Sequence, residues 1–185
     1  VEALPLFSFA RLTGLNSAFP GVPAVTLGQE ITFDYAGLLC LILVFSSFFQ
    51  RLRSNRKKLV DSLTLLFFAA SVFFTPLYKL WHFLSMPYGF PTRFSFVIVF
   101  WLIVAAVDAW DTRDKKSLAC GALVVLLLLA ANETMTMPVK LIAAGFIAGI
   151  VVLLCLGFQK VLAVTVIAEL TFAGAATFIS LDRDN

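Results

Sequence analysis

Six apolar runs, each ended by charged residues, constrain this chain more than anything else in it. They are Tyr35–Gln50, Ser62–Tyr78, Phe94–Val107, Ser117–Asn132, Leu141–Gln159 and Val161–Leu181. A helix that crosses a bilayer needs about 17–25 mainly apolar residues. The last two runs reach that length alone. The first, second and fourth reach it when flanking polar side chains snorkel to the surface. The third is shorter and uses Trp110 as an interfacial anchor.

Composition points the same way. Of 185 residues, 61% are hydrophobic and 14% charged, against about 25% charged in soluble domains. Mean hydropathy is +0.97. The runs do not alternate apolar with polar residues, as barrel strands do. Helices satisfy their backbone groups internally, as lipid demands. The expected fold is therefore all-α, a polytopic membrane segment of about six transmembrane helices. Pro76 is expected to close the second span. Thr136-Met137-Pro138 is expected to open the fifth with a capping residue and an early proline.

Residues 1–33 contain Pro5, Pro20, Pro23, Gly14, Gly21 and Gly28, too many breakers for a long helix. They read as an outer, interfacial loop region with a short helix at Leu4–Leu12. Residues 34–181 form the spanning domain, and residues 182–185 begin an outer segment. The chain starts at Val1 without a recognisable signal-peptide pattern. It is expected to be a piece of a longer polypeptide.

Lys and Arg in short loops set orientation. With residues 51–58, 108–116 and Lys160 inside, nine basic residues are cytoplasmic and five are outside. Both ends are then extracytoplasmic in a multi-pass protein of the cell membrane. Nucleic-acid binding would need these clusters on a soluble surface, so membrane lipids are the expected partner and nucleic acid is not. Cys40, Cys120 and Cys155 lie singly in apolar runs and form no metal-ligand cluster. No metal or cofactor is expected.

The loop from Trp81 to Arg93 holds the only histidine, His82, and two of the seven prolines, Pro87 and Pro91. A guanidinium at Arg93 can grip a phosphate bidentately. Lys79 and His82, on the other shoulder, can support it, and Trp81 and Tyr88 can cover a sugar face. The plainer alternative is that the cations mark helix ends and the aromatics form an interfacial belt. Glu169 is an acid in mid-run, costly in lipid and a functional candidate by default. It shares a stripe with Thr165, Ala173, Ala176 and Ser180, suited to packing against other helices. Its plainer alternative is a protonated, hydrogen-bonded side chain within the bundle. Gly145-x-x-x-Gly149 is a possible helix-packing face. Asn132-Glu133-Thr134 matches a glycosylation acceptor, but its loop is too short and too near the membrane to serve. No nucleophile elbow, phosphate loop, zinc motif or dinucleotide fingerprint occurs.

The stretch Trp81-His82-(x)4-Pro87-(x)2-Phe90-Pro91-x-Arg93-Phe94-Ser95-Phe96 resembles the motif W-H-G-F-x-x-P-N-x-F-P-x-R-F/Y-S-F of the bacterial YfhO family of membrane proteins. Phe83 stands at the family's glycine and Tyr88 at its asparagine. Tyr35-Ala36-Gly37, Arg56-Lys57-Lys58 and Ala168-Glu169-Leu170 resemble further family features, so the likeness covers about residues 33–172. The resemblance implies a membrane glycosyltransferase that uses a polyprenyl-phosphate-linked sugar and a cell-envelope polymer as acceptor. Some members are linked to decorating lipoteichoic acid. It also implies that the catalytic acid lies in an outer loop preceding Val1, and that a large outer domain follows Asn185. No catalytic residue is assigned within the chain. Two rival functions are a transporter or flippase with Glu169 as coupling acid, and a non-catalytic membrane scaffold. The position of a polar-lined cavity, at the outer mouth, at the midplane or absent, is expected to separate them.

Overall fold

A computed structural model describes residues 24–26, 30–32, 35–81, 95–132 and 135–183. The helices are α1 (Leu38–Phe49), α2 (Asn55–Phe73), α3 (Thr75–Trp81), α4 (Ser95–Trp110), α5 (Lys115–Ala131), α6 (Met137–Leu156) and α7 (Gln159–Arg183). Two short strands precede them, β1 (Ala24–Thr26) and β2 (Glu30–Thr32), paired antiparallel with Val25 opposite Ile31. The fold is thus all-α apart from this ribbon. The ribbon occupies part of the segment expected to be loop. The expected helix at Leu4–Leu12 lies outside the described residues.

Helix α1 is apolar all round, and such a helix finds no solvent face. It is the centre of the bundle and packs against α4, α5, α6 and α7. Leu38, Leu41, Ile42, Leu43 and Val44 are buried along it, as are Ser46 and Ser47. The two serines donate back to the carbonyls of Leu43 and Val44 within their own helix. Their hydroxyls are thereby satisfied and leave a smooth, small surface. Against it lies Gly121 of α5. A Cβ there would fall 2.6 Å from the Ile42 carbonyl oxygen and 2.6 Å from the Ser46 nitrogen. The α1 and α5 backbones meet because no side chain separates them, the packing mode that lipid favours. Gly145 and Gly149, the expected packing face, have nothing within 4 Å of an added Cβ. The close contact of the bundle is made by the glycine of α5, not by the pair in α6.

The second apolar run does not form one helix. Helix α2 starts inside the basic cluster, where the Ser54 hydroxyl accepts from the Lys57 amide. It ends at Phe73. Phe74 has extended backbone (φ −91, ψ 112), and Pro76 stands two residues later. Proline lacks the donor that a continuing helix needs and clashes with the preceding turn. Helix α3 then folds back: the Trp81 and Phe67 rings are 6.2 Å apart. In an unbroken helix, 14 positions would separate them by about 21 Å. The helix of the second span therefore stops just before Pro76, as expected, and the chain then folds back as α3.

Helix α6 is, among the described residues, the one helix long and apolar enough by itself to cross a membrane. Pro138 stands in its first turn, as expected. Thr136 holds the cap position, but its side chain makes no capping hydrogen bond. The helix ends at Gly157, left-handed at φ 76, whose amide and that of Phe158 both donate to the Leu153 carbonyl. That termination leads at once into α7. Helices at Leu38–Phe49 and Phe96–Trp110 are apolar but shorter.

Candidate functional site

Three polar places stand out in an otherwise apolar bundle. The first ties α1, α2 and α4 together at one end. Arg53, 5% exposed, donates Nη2 to Asp61 at 2.5 Å and to Asp108 at 2.9 Å. Lys57 reaches Asp108 from outside at 2.9 Å. The hydrogen bond from Lys57 is the main cause that holds the Asp108 carboxyl below the usual carboxylate range, with Arg53 adding to it. Next to this cluster, Gln50 is fully buried at the end of α1. It donates to the Ala109 carbonyl at 3.0 Å and accepts from Thr112 at 2.5 Å. The sequence marked Arg53 and Lys57 only as orientation charges. The readable signal was the pair of acids, Asp61 and Asp108, standing beside basic loops.

The second place is the start of α1. Its cap position is Gly37, with no side chain to satisfy the first amides. Glu169 of α7 comes to that helix end. A Cβ on Gly37 would lie 3.9 Å from Glu169 Oε2 and 3.6 Å from Leu170. The Leu38 amide is near the carboxyl, yet neither carboxyl oxygen has a hydrogen bond of normal geometry. Glu169 is 0% exposed. The Tyr35 hydroxyl, two residues before Gly37, is also buried without a partner. The helix dipole favours a negative group here, while the absence of solvent opposes it. Gly37 itself has φ 90 and ψ 144, backbone open essentially to glycine alone. Glu169 thus faces other helices, without the hydrogen bonds that a purely structural role would lead one to expect. Ten positions separate Glu169 from the start of α7, about 15 Å, and the 12 residues of α1 span about 18 Å.

The third place is the expected phosphate site, of which the described residues contain Lys79 and Trp81. Both lie in the last turn of α3 and are partly exposed. Trp81 packs on Phe67, Phe67 on Phe68, and Phe68 edge-on against Trp101 of α4 at 5.7 Å. This aromatic ladder fastens the folded-back helix to α4. His82, Tyr88 and Arg93 lie outside the described residues. The described part of the site is therefore one shoulder, carrying one cation and one aromatic ring.

A cavity of about 340 Å³ opens at the α4–α5 turn and the end of α6, lined by Arg113, Lys115 and Leu154 among others. This is neither the outer mouth nor the level of Glu169. Among the described residues no group of His, Cys, Asp or Glu is arranged to hold a metal ion.

The family model described as bacterial membrane protein YfhO matches residues 4–181. No curated protein and no solved structure matches the chain.

Proposed function

Because this chain belongs to the YfhO family of bacterial membrane proteins, we propose that it is the membrane domain of a glycosyltransferase-like protein. It moves a sugar from a polyprenyl-phosphate donor to a cell-envelope acceptor at the outer face. The observation that carries this reading is the reversal at Pro76. It brings Lys79 and Trp81 back against α2 and ties them by the aromatic ladder to α4. Arg93 precedes α4 by two residues in sequence. One phosphate can then meet a cation from each side of the connecting loop.

In the transfer, the bond between the sugar C1 and the donor phosphate oxygen breaks, and C1 bonds to an acceptor oxygen. The phosphate leaves with the electron pair, and the acceptor proton passes to a base outside the residues named here. Arg93, as a planar fork, stabilises the leaving phosphate. Lys79 and His82 add charge, and Trp81 and Tyr88 cover the sugar. Arg93→Ala in the whole protein is expected to lower transfer from a polyprenyl-phosphate sugar roughly tenfold, about 1.4 kcal/mol of transition-state stabilisation. Arg93→Lys, which keeps charge but loses the fork, should lie between. Unchanged transfer by well-folded Arg93→Ala would return the loop to an interfacial turn.

The same reading keeps the six apolar runs as spans, the first running from Tyr35 through the 12-residue α1, with α3 as a short outer arm and both ends of the chain outside. A cysteine placed at Ser54, in the most basic loop, should then stay unlabelled by an impermeant reagent applied to intact cells. Labelling from outside would invert the topology.

A second reading, a transporter or flippase with Glu169 as coupling acid, has its own observation. If α7 spans from its first residue, Glu169, ten positions and about 15 Å along it, is close to the middle of a hydrocarbon core about 30 Å thick. Helix ends and irregular backbone at that depth belong to binding sites in many carriers. Glu169→Gln preserves size and should change folding stability by less than about 1 kcal/mol, because no hydrogen bond of normal geometry is lost. Under the glycosyltransferase reading this variant retains transfer. Loss of activity with an intact fold would transfer the assignment to the carrier reading.

A further inference from the structure

Among the described residues, Glu169 is the one fully buried acidic or basic side chain with neither an ion pair nor a hydrogen bond of normal geometry. Its surroundings decide what can neutralise it. Helices α6 and α1 pack against α7. Helix α6 offers Lys140 in its first turn and Cys155 in its last. The Lys140 ammonium donates to the Ala130 carbonyl at 3.1 Å and makes no ion pair. Cys155 is a thiol close to the start of α7, well away from Glu169. Helix α1 offers Cys40, with Tyr35 just before the helix. The Tyr35 hydroxyl is buried without a partner, so it does not donate to the carboxyl. Within α7, Lys160 lies in the first turn and Asp182 and Arg183 in the last.

What does face the carboxyl is the start of α1. Gly37 puts no side chain in the way: its added Cβ would lie 3.9 Å from Glu169 Oε2. The first bond of the helix runs from the Leu41 amide to the Gly37 carbonyl, so the amides of Leu38, Leu39 and Cys40 have no partner within it. Together they amount to about half a positive charge, against a full negative charge on a carboxylate. The remainder has no water to spread into, because Glu169 is 0% exposed, and a net charge without solvent is what an apolar interior tolerates least. A hard metal cation does not fit. It takes about six oxygen ligands, and the amides of α1 present protons to the same space. A proton fits. It adds one positive charge, needs no ligand shell and no cavity, and leaves a neutral acid.

We propose that Glu169 and the uncapped start of α1 form a proton-binding site, occupied at neutral pH, whose emptying loosens α7 from α1. The proton comes from water and forms an O–H bond on one carboxyl oxygen. Its loss returns a carboxylate and a hydrated proton. The neutral acid is compatible with burial and the anion is not. The contact between α7 and α1 is therefore firm at low pH and weakens as pH rises through the point where the folded site titrates. The proposal does not rest on the carrier reading, which needs in addition that this proton exchange with both sides of the membrane.

Infrared difference spectroscopy of the whole protein in detergent, native minus Glu169→Gln, tests the site. An ordinary glutamate titrates near about 4.3 and would be fully ionised at about pH 7. The native protein at that pH should instead show the carbonyl stretch of a protonated carboxylic acid, shifted down in deuterium oxide. Raising the pH to about 10, where an ordinary lysine begins to titrate, should replace that band by carboxylate bands. Glu169→Leu, which also carries no proton there, is the reference if Glu169→Gln does not fold. Sodium or calcium chloride added at neutral pH should leave the acid band unchanged. Over the same pH range the thermal midpoint of the native protein should fall several degrees further than that of the variant. Carboxylate bands at neutral pH, loss of the acid band on adding either cation, or the same pH dependence of the midpoint in both proteins would overturn the proposal. None of these outcomes reads transfer or transport, so failure of either functional reading leaves them as they are.

Discussion

Gly121→Leu is expected to be the most damaging single change in this bundle, lowering stability by about 3 kcal/mol or more. The reason is the identity of the atoms in the way. An added Cβ would stand 2.6 Å from the Ile42 carbonyl oxygen, 2.6 Å from the Ser46 nitrogen and 2.9 Å from the Ser46 Cα. All three are backbone, so no rotamer change can relieve the overlap. Helices α1 and α5 must move apart, and α1 is the helix on which α4, α6 and α7 also pack. Gly121→Ala should already lose about 2 kcal/mol. Gly145→Ala is the matched control: nothing lies within 4 Å of its added Cβ, and it should match or slightly exceed the native stability through helix propensity alone. Thermal unfolding in detergent, followed by loss of the monodisperse peak, would rank the three. A Gly121→Ala protein as stable as Gly145→Ala would contradict the close approach of α1 and α5.

Arg53→Ala should cost about 3 kcal/mol, the loss seen when one partner of a buried ion cluster is removed. The side chain is 3% exposed, and its partner Asp61 is 14% exposed. Removing the guanidinium leaves the Asp61 carboxylate poorly solvated and leaves Asp108 held by the exposed Lys57 alone among the described ion pairs. Lys57→Ala removes a charge on the same Asp108, but its side chain is 58% exposed. It should lose less than about 1 kcal/mol. The cluster also sets an acid limit. The carboxyl of Asp108 is held below its ordinary value, so its contribution is fully present above about pH 3.9, the ordinary value for aspartate. It is lost only as pH falls through the lower folded value. Stability of the native protein between pH 8 and 5 should therefore not change on this account. Equal losses from Arg53→Ala and Lys57→Ala would show that burial of the guanidinium contributes nothing.

Much of the helical plan was legible in the order of residues. The charge-bounded runs correspond to α1, α4, α5, α6 and α7 with shifts of a few residues, because a helix in an apolar setting runs until a charge or a breaker stops it. The family motif was also legible, since Trp81, His82, Pro91 and Arg93 stand at recognisable spacing. The second run was misread because its hydropathy carries straight across Phe74, while the backbone at Phe74 does not. Pro76 was seen as a stop, and whether the chain then leaves or folds back depends on what Trp81 finds to pack against.

The apolar composition by itself determined that this chain forms helices and belongs in a membrane, because backbone donors and acceptors must be satisfied within each segment. Tertiary structure alone decided which small residue mattered, which charge was buried and what the mid-run acid faced. Gly121 and Gly145 look equivalent in a run of apolar letters, and only one of them meets a backbone. Arg51 and Arg53 look equivalent in a basic loop, yet Arg53 reaches two carboxylates. Glu169 is buried beside the start of α1, more than a hundred residues away, where the cap position is a glycine with no side chain. Such pairings depend on distances between helices. Those distances follow from packing the whole bundle at once, and no local pattern encodes them.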